Sequence, residues 1–332
     1  MSKSLPMVTV IIPTRPNQSD TIAIATAKKL DYPKDKLEII VSRGRQPSVQ
    51  RNAAIKQAKG DIIYFLDDDS VPLPDNLLRA AVHFSDPGVK MVGGPNICPP
   101  NAPTVEQRFA FTMGNWLAFG PSRARYTPVG KTRESGEKEL ILCNLLARRD
   151  TLVELGGFDE SLYPNEENAL MDDIQKRGGK LVYDPELLIY RRPRPTFRAF
   201  TKMLMTYGRG RAEQFRMHPT FGSAANFVPP LFCVFLLSCL AVPFLDNKLV
   251  PRIYEGILAF YLVTIYFSAF LTYASSVTKQ GGNIRPGTSF VVAFLIFWTH
   301  VMYGIGFWRG LFTSPKPPSQ EISSEVKLEK VS

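Results

Sequence analysis

The stretch "DIIYFLDDDSVPLPDN", residues 61–76, sets three consecutive carboxylates directly after five apolar residues. An unbroken apolar run of that length predicts a short strand over 62–66, covered on both faces as in a parallel sheet enclosed by helices. Asp67, Asp68 and Asp69 leave the strand at its carboxyl end, the edge at which open α/β sheets bind ligands. Three adjacent like charges repel one another, so their crowding calls for a positive partner. A divalent cation, Mg²⁺ or Mn²⁺, suits carboxylate oxygens, and such ions commonly carry substrate phosphates as well, which implies a nucleoside diphosphate. A calcium loop of the EF-hand type starting at Asp67 is excluded, because it needs a glycine at position 72 and a glutamate at 78 where the chain has Pro72 and Leu78. Helix capping would use one aspartate and leave two unexplained.

Around this stretch, strands and helices alternate. Residues 7–12 ("MVTVII") and 37–41 ("LEIIV") predict further strands, and 19–30 and 47–60 predict helices, the second opening at Pro47 and closing at Gly60. Strands are also expected at 89–94 and 180–185, with a helix over about 166–178. The alternation predicts an α/β fold with a mixed, mostly parallel, Rossmann-like sheet over residues 1–190.

The chain of 332 residues carries a net charge of +10, which raises nucleic acid as a partner. The basic residues form no single patch, however, and the richest run adjoins apolar sequence, which favours an anionic membrane surface. Residues 191–216 hold eight basic residues and one acid, with Phe197, Phe200, Leu204 and Tyr207 at helical spacing. Residues 191–225 are therefore expected to form a basic amphipathic segment in the membrane interface. Three apolar segments follow within 226–312, at about 227–245, 253–274 and 289–308. Each approaches the roughly 20 residues needed to cross a bilayer. Lys279 and Arg285 place the second connection in the cytoplasm, and the polar tail 313–332 is expected to be disordered and across the membrane. The opening apolar run, ended by Pro13, is too brief for a secretory signal, so the leading domain is expected to face the cytoplasm from a multi-pass protein of the inner membrane. Cys98, Cys143, Cys233 and Cys239 show no metal or disulfide spacing, in keeping with a reducing compartment.

A second acidic group lies in "GGFDESLYPNEENALMDDIQKRGG" (156–179), where Glu166 and Glu167 open a helix and Asp172 and Asp173 sit within it. The helix dipole alone favours glutamates in a first turn; the alternative is a general base aimed at the cleft of the aspartates.

Taken together, "VTVIIPTRPN", "QRNAAIKQAKGD", "FLDDD", "RRDTLVELGGFDE" and "EENALMDDIQKRGG" resemble, in order and spacing, the family-2 glycosyltransferases of GT-A fold, over roughly residues 7–190. "LYPNEEN" and "YGRGR" resemble the membrane-anchored bacterial or archaeal branch acting on cell-surface glycans. The resemblance implies that Pro13, Thr14 and Arg15 line the nucleobase and ribose pocket, and that Arg51 and Asp68 support the donor side. It implies a metal at Asp67 and Asp69, with Asp69 the more direct ligand, and Glu167 as catalytic base, with Glu166 and Asp173 as alternatives. Arg209 and Arg211 would steady the leaving diphosphate or face lipid headgroups. Where relatives carry an Asp-Asp-Gly-Ser after the second strand, this chain has Ser42, Arg43, Gly44 and Arg45, whose arginines could meet phosphate.

The implied function is metal-dependent, inverting sugar transfer from a nucleoside-diphosphate sugar to a lipid-linked or cell-envelope glycan. The alternatives are a polyprenyl-phosphate sugar synthase and a catalytically inactive membrane partner of a glycan-assembly complex. A sugar-phosphate nucleotidyltransferase would place a glycine-rich loop where this chain has "TRPNQSD".

Overall fold

The computed structural model describes residues 5–162, 165–217, 221–244, 248–279, 286–313 and 326–331. The chain divides into two compact units, the first formed by residues 1–99, 124–192 and 316–332, the second by 100–123 and 193–315.

The first unit opens with strand β1 (Val8–Thr14), helix α1 (Ile22–Ala27), β2 (Leu37–Arg43), α2 (Pro47–Gln57) and β3 (Ile62–Leu66). β4 (Val71–Pro72), α3 (Asn76–His83), β5 (Val89–Gly93) and β6 (Asn96–Ile97) follow. In the second unit lie α4 (Thr104–Met113) and α5 (Trp116–Phe119). The first unit resumes with β7 (Arg133–Ser135), β8 (Asn144–Arg148), α6 (Arg149–Glu154), α7 (Glu166–Lys176), β9 (Lys180–Tyr183) and β10 (Ile189–Tyr190). Helices α8 (Phe197–Met217), α9 (Val228–Ala241), α10 (Leu249–Lys279) and α11 (Pro286–Phe312) complete the second unit, and β11 (Lys327–Lys330) returns to the first.

The large sheet has the order β11-β2-β1-β3-β8-β5-β9-β7. Its β2-β1-β3 part is parallel, as the strand–helix alternation requires, whereas β8 runs antiparallel between β3 and β5. Both faces are covered. Val10, Ile12, Tyr64 and Leu66 pack to one side, and Ile11, Ile63 and Phe65 to the other. This two-sided burial explains why β1 and β3 read as continuous apolar runs. Helix α2 ends at Gln57, earlier than its sequence suggested. Gly60 serves the sheet instead: a Cβ there would lie 2.4 Å from the backbone nitrogen of Thr9 on β1.

The tail departs from expectation. Residues 327–330 form an edge strand antiparallel to β2, with Lys327 opposite Arg43 and Lys330 opposite Ile40. Leu328 and Val331 pack against the two cores, and Lys330 reaches Glu38 at 2.6 Å. Its charged composition reads as disorder, but alternate residues have an open sheet edge to bind and apolar surface to cover. Residues 314–325 lie outside the described residues.

In the second unit, α8 runs beside α11. Gly208, Gly306 and Gly310 let the backbones meet; a Cβ on Gly208 would lie 2.1 Å from the Tyr303 carbonyl oxygen. Of the residues expected on the apolar face of α8, Phe200 and Leu204 are buried within the unit, Phe200 stacking on Phe109 at 4.3 Å, whereas Phe197 is exposed and Tyr207 half-buried. Three helical segments, Ala224–Phe244, Leu249–Ser276 and Gly287–Phe312, are long and apolar enough to cross a membrane. Lys279 ends α10, and Arg285 lies outside the described residues.

Candidate active site

The site forms where the triplet "QRN" of α2 reaches three parts of the first unit. Gln50, buried, donates to the Thr14 carbonyl oxygen at 2.8 Å and to that of Ser42, fixing the ends of β1 and β2 to each other. Asn52 accepts from the backbone N–H of Phe158 at 2.8 Å and donates to the Phe158 carbonyl and to Glu160. That contact requires Gly157, whose φ is +83° and whose Cβ would lie 2.4 Å from Asn52 Oδ1. Arg51, between them, carries the charge.

Arg51 Nη2 contacts Asp67 Oδ1 at 2.9 Å, and Nη1 contacts Glu166 Oε1 at 3.2 Å. The two acidic groups of the sequence are thus joined by one guanidinium. Arg51 and Glu166 are nearly enclosed, with side chains 6% and 3% exposed. Glu166 also accepts from the Asn165 backbone N–H at 3.0 Å. Burial, and next the neighbouring charge of Glu167, raise its pKa to about 7 against the pull of Arg51.

A second arginine closes the network. Arg191 follows β10, which pairs antiparallel with β4, placing Tyr190 opposite Val71 just beyond the aspartates. Arg191 Nη2 lies 3.1 Å from Asp67 Oδ2, and Nε 2.6 Å from Asp69 Oδ1. The cluster's compensating charge is therefore built into the chain as Arg51 and Arg191, and repulsion alone does not call for a metal. Ser70, buried beneath, accepts from the Asp67 backbone N–H at 3.2 Å and donates to the Cys143 carbonyl, fixing the turn.

Two carboxylates converging on one cationic group are an oxygen donor set that fits Mg²⁺ or Mn²⁺ completed by phosphate. Asp69, at 48% exposed, and Asp67, at 24%, remain open to such an ion. Among the described residues there is no group of three or more His, Cys, Asp or Glu side chains that could hold a metal ion.

The remaining expected residues fall as follows. Pro13 and Thr14 end β1 and are buried, and Arg15 is exposed just beyond. Asp68 accepts the Ala23 N–H through its backbone carbonyl. Glu167 is half-buried and, one residue on from Glu166, is turned about 100° around α7 from it. Asp173 is exposed, and Lys176 pairs with Asp172 at 2.9 Å. Arg43 is engaged on the β2 edge: it donates to Gln18 and Ser19 carbonyls and meets Glu329 of β11 at 2.8 Å. Arg209 and Arg211 belong to α8 in the second unit, paired with Glu213 and Gln214. Arg191 was missed as a site residue because its sequence neighbourhood reads only as part of a basic run.

Comparison with known proteins places these features in context. A family model described as "Glycosyltransferase like family 2" matches residues 2–206. The pre-mycofactocin glycosyltransferase of Mycobacterium tuberculosis is 27% identical over 173 residues, which cover 52% of this chain and 36% of that protein. The succinoglycan biosynthesis protein ExoA of Rhizobium meliloti is 26% identical over 210 residues, covering 63% of this chain and 57% of the relative. The match thus spans only part of the length of these relatives. Among solved structures, the mannosyltransferase PcManGT from Pyrobaculum calidifontis, in complex with GDP-Man and Mn²⁺, aligns with a TM-score of 0.51 at 18% identity, over 93% of this chain and 88% of that one.

Proposed function

Since the chain belongs to glycosyltransferase family 2, we propose that it moves a sugar from a nucleoside-diphosphate sugar to an acceptor hydroxyl with inversion at the anomeric carbon. The observation that carries this reading is the Arg51 bridge between Asp67 and Glu166, which holds the donor-side carboxylates and the start of α7 in one site.

The two adjacent glutamates divide the work. Glu166, enclosed and tied to Arg51, is a positioning residue that fixes the first turn of α7. Glu167, more open, takes the proton from the acceptor hydroxyl as its oxygen attacks the anomeric carbon, the bond to the donor phosphate oxygen breaking on the opposite side. Asp67 and Asp69 would hold a divalent cation, which when bound supplies Lewis-acid stabilisation for the leaving diphosphate. Pro13, Thr14 and Arg15, at the carboxyl end of β1, line the donor pocket, where sheets of this kind bind nucleotides. The three apolar helical segments keep the enzyme at the cytoplasmic membrane with its catalytic unit in the cytoplasm, where a lipid-linked acceptor is presented in two dimensions rather than three.

The test is release of nucleoside diphosphate by the purified full-length chain with Mn²⁺, a panel of nucleotide sugars and a membrane lipid extract as acceptor. Release with one donor, abolished by EDTA and accompanied by labelled lipid, is expected. No transfer from any donor would overturn the reading in favour of an inactive membrane partner, and labelled lipid whose sugar sits on a phosphate would make the enzyme a polyprenyl-phosphate sugar synthase.

A further inference from the structure

Strand β1 ends at Thr14 and α1 is capped by Thr21, so residues 15–20 form the loop between them. This loop borders the pocket assigned to the donor. Its first end is fixed in the sheet, where Thr14 stands beside Arg43 of β2. Its far end is fixed by the Ala23 N–H, which donates to the Asp68 carbonyl at 3.3 Å. The span between has little core to hold it: Gln18 is half-buried and the other residues are exposed. We propose that Arg43 is the positioning residue that holds this loop in its donor-binding form, and that the C-terminal strand β11 holds Arg43. The proposal rests on the donor pocket put forward under Proposed function.

A guanidinium presents its N–H groups in a rigid planar fork, and every nitrogen of Arg43 has an acceptor. Nη1 donates to Thr14 Oγ1 at 3.4 Å and to the Gln18 carbonyl, and Nη2 donates to the Ser19 carbonyl at 3.2 Å. Two successive loop carbonyls and the last side chain of β1 therefore converge on one guanidinium. Its remaining edge belongs to Glu329, whose Oε2 accepts from Nε at 3.1 Å and from Nη2 at 2.8 Å. Arg43 is thus committed to the loop and the tail rather than to a phosphate.

The ladder of backbone hydrogen bonds decides where Glu329 stands. Antiparallel pairing sets Lys327 opposite Arg43 and Glu329 opposite Val41, which brings Glu329 diagonal to Arg43 on one face of the sheet. Lys330 fixes that register by reaching Glu38 at 2.6 Å, and Glu38 is itself tied to Thr9 Oγ1 at 2.7 Å and to the Lys59 N–H at 2.9 Å. An ion pair with one exposed partner adds little to stability. What Glu329 adds is direction: held from the tail side, the fork keeps its other edge on the loop carbonyls. A loop that occupies its binding form a fraction of the time binds its ligand more weakly by that fraction. If loss of the Arg43 contacts leaves residues 15–20 in that form one time in ten, donor affinity falls about tenfold. Arg51 and Glu166 make none of these contacts, so transfer from bound donor is expected to keep its rate.

The experiment compares Arg43→Ala, Arg43→Lys and Glu329→Ala with the parent, all as full-length chains. Amide hydrogen exchange over residues 15–21 is expected to quicken in all three, while 8–14 and 62–66 stay protected. With the nucleotide sugar that the donor panel identifies, donor KM is expected to rise about tenfold in Arg43→Ala and by a smaller factor in Glu329→Ala, with kcat within about twofold of the parent. Arg43→Lys keeps the charge and loses the fork, so its KM is expected to match that of Arg43→Ala. Unchanged exchange over 15–21 in Arg43→Ala, or a parental KM in Arg43→Lys, would overturn the role of the guanidinium. Unchanged exchange and KM in Glu329→Ala would overturn that of the tail. Faster exchange throughout the unit, or a fall in kcat with KM unchanged, would mean a general loss of structure and would overturn the proposal as a whole. A parent chain that turns over no nucleotide sugar would instead remove the donor reading itself, a distinct outcome, since the exchange comparison still reads the hold of Arg43 on the loop.

Discussion

Arg191 Nε lies 2.6 Å from Asp69 Oδ1, although the two residues are 122 positions apart in the chain. The same guanidinium reaches Asp67, so the carboxylates that would take a divalent cation already share a positive partner. A divalent cation bound at Asp67 and Asp69 would compete with Arg191 for the same oxygens.

The first expectation follows from that competition. Arg191→Gln removes the competitor and should tighten Mn²⁺ binding in the absence of nucleotide by about tenfold, the equivalent of one charge-assisted hydrogen bond. Arg191→Lys should fall between. Titration of Mn²⁺ by its paramagnetic resonance signal checks this without any turnover; an unchanged affinity would mean that Asp67 and Asp69 do not hold the ion.

The adjacent glutamates should separate kinetically. Glu167→Gln should lower the transfer rate by about 10²–10⁴-fold with donor affinity near normal, the range of a lost general base. Glu166→Gln keeps shape and hydrogen bonding and should cost far less. Rapid-quench transfer assays beside equilibrium donor binding distinguish the two, and equal losses would refute the division of roles.

Glu166 also makes stability depend on pH. Its pKa is raised from 4.5 to about 7 on folding, so between these values the folded chain holds a proton that the unfolded chain has released. Its contribution is therefore fully present at low pH and is lost as pH rises through about 7. Glu166→Gln, which mimics the protonated carboxyl, should gain stability relative to the parent as pH rises from about 5 to 8. Urea midpoints across that range read the effect, and a parallel pH course in the two proteins would show that Glu166 ionises normally.

The tail strand should contribute to the stability of the catalytic unit. Truncation after residue 325 removes Leu328 and Val331 from the two cores, together with the Glu329–Arg43 and Lys330–Glu38 pairs. Partial burial of two such side chains predicts a loss of about 2 kcal/mol, the exposed ion pairs adding little. A lowered urea midpoint with an unchanged transition slope would confirm it.

Much of this site was legible in the sequence. The strand 62–66 and the position of the aspartates at its end follow from an apolar run too uniform for a surface strand, a local property. Glu166 and Glu167 could be set at a helix start, yet which of them turns inward depends on where α7 is seated, and that is a packing matter. The partner of the aspartates was anticipated as an absent cation; two arginines supply it, one from α2 and one from beyond β10. Arg51 lay within a recognisable triplet, whereas Arg191 is brought in by a two-residue strand pairing with no composition of its own.

What the sequence by itself determined is whatever arises within a few residues: apolar runs that must be buried, acidic residues at a helix start, charges at strand ends. Tertiary structure alone decided which distant charges meet, and that a polar tail closes the β2 edge. The physical reason is the range of the forces involved. Burial patterns are written into neighbouring residues, but an ion pair or a ladder of backbone hydrogen bonds needs only that two segments arrive together, and any charged side chain or open edge can serve.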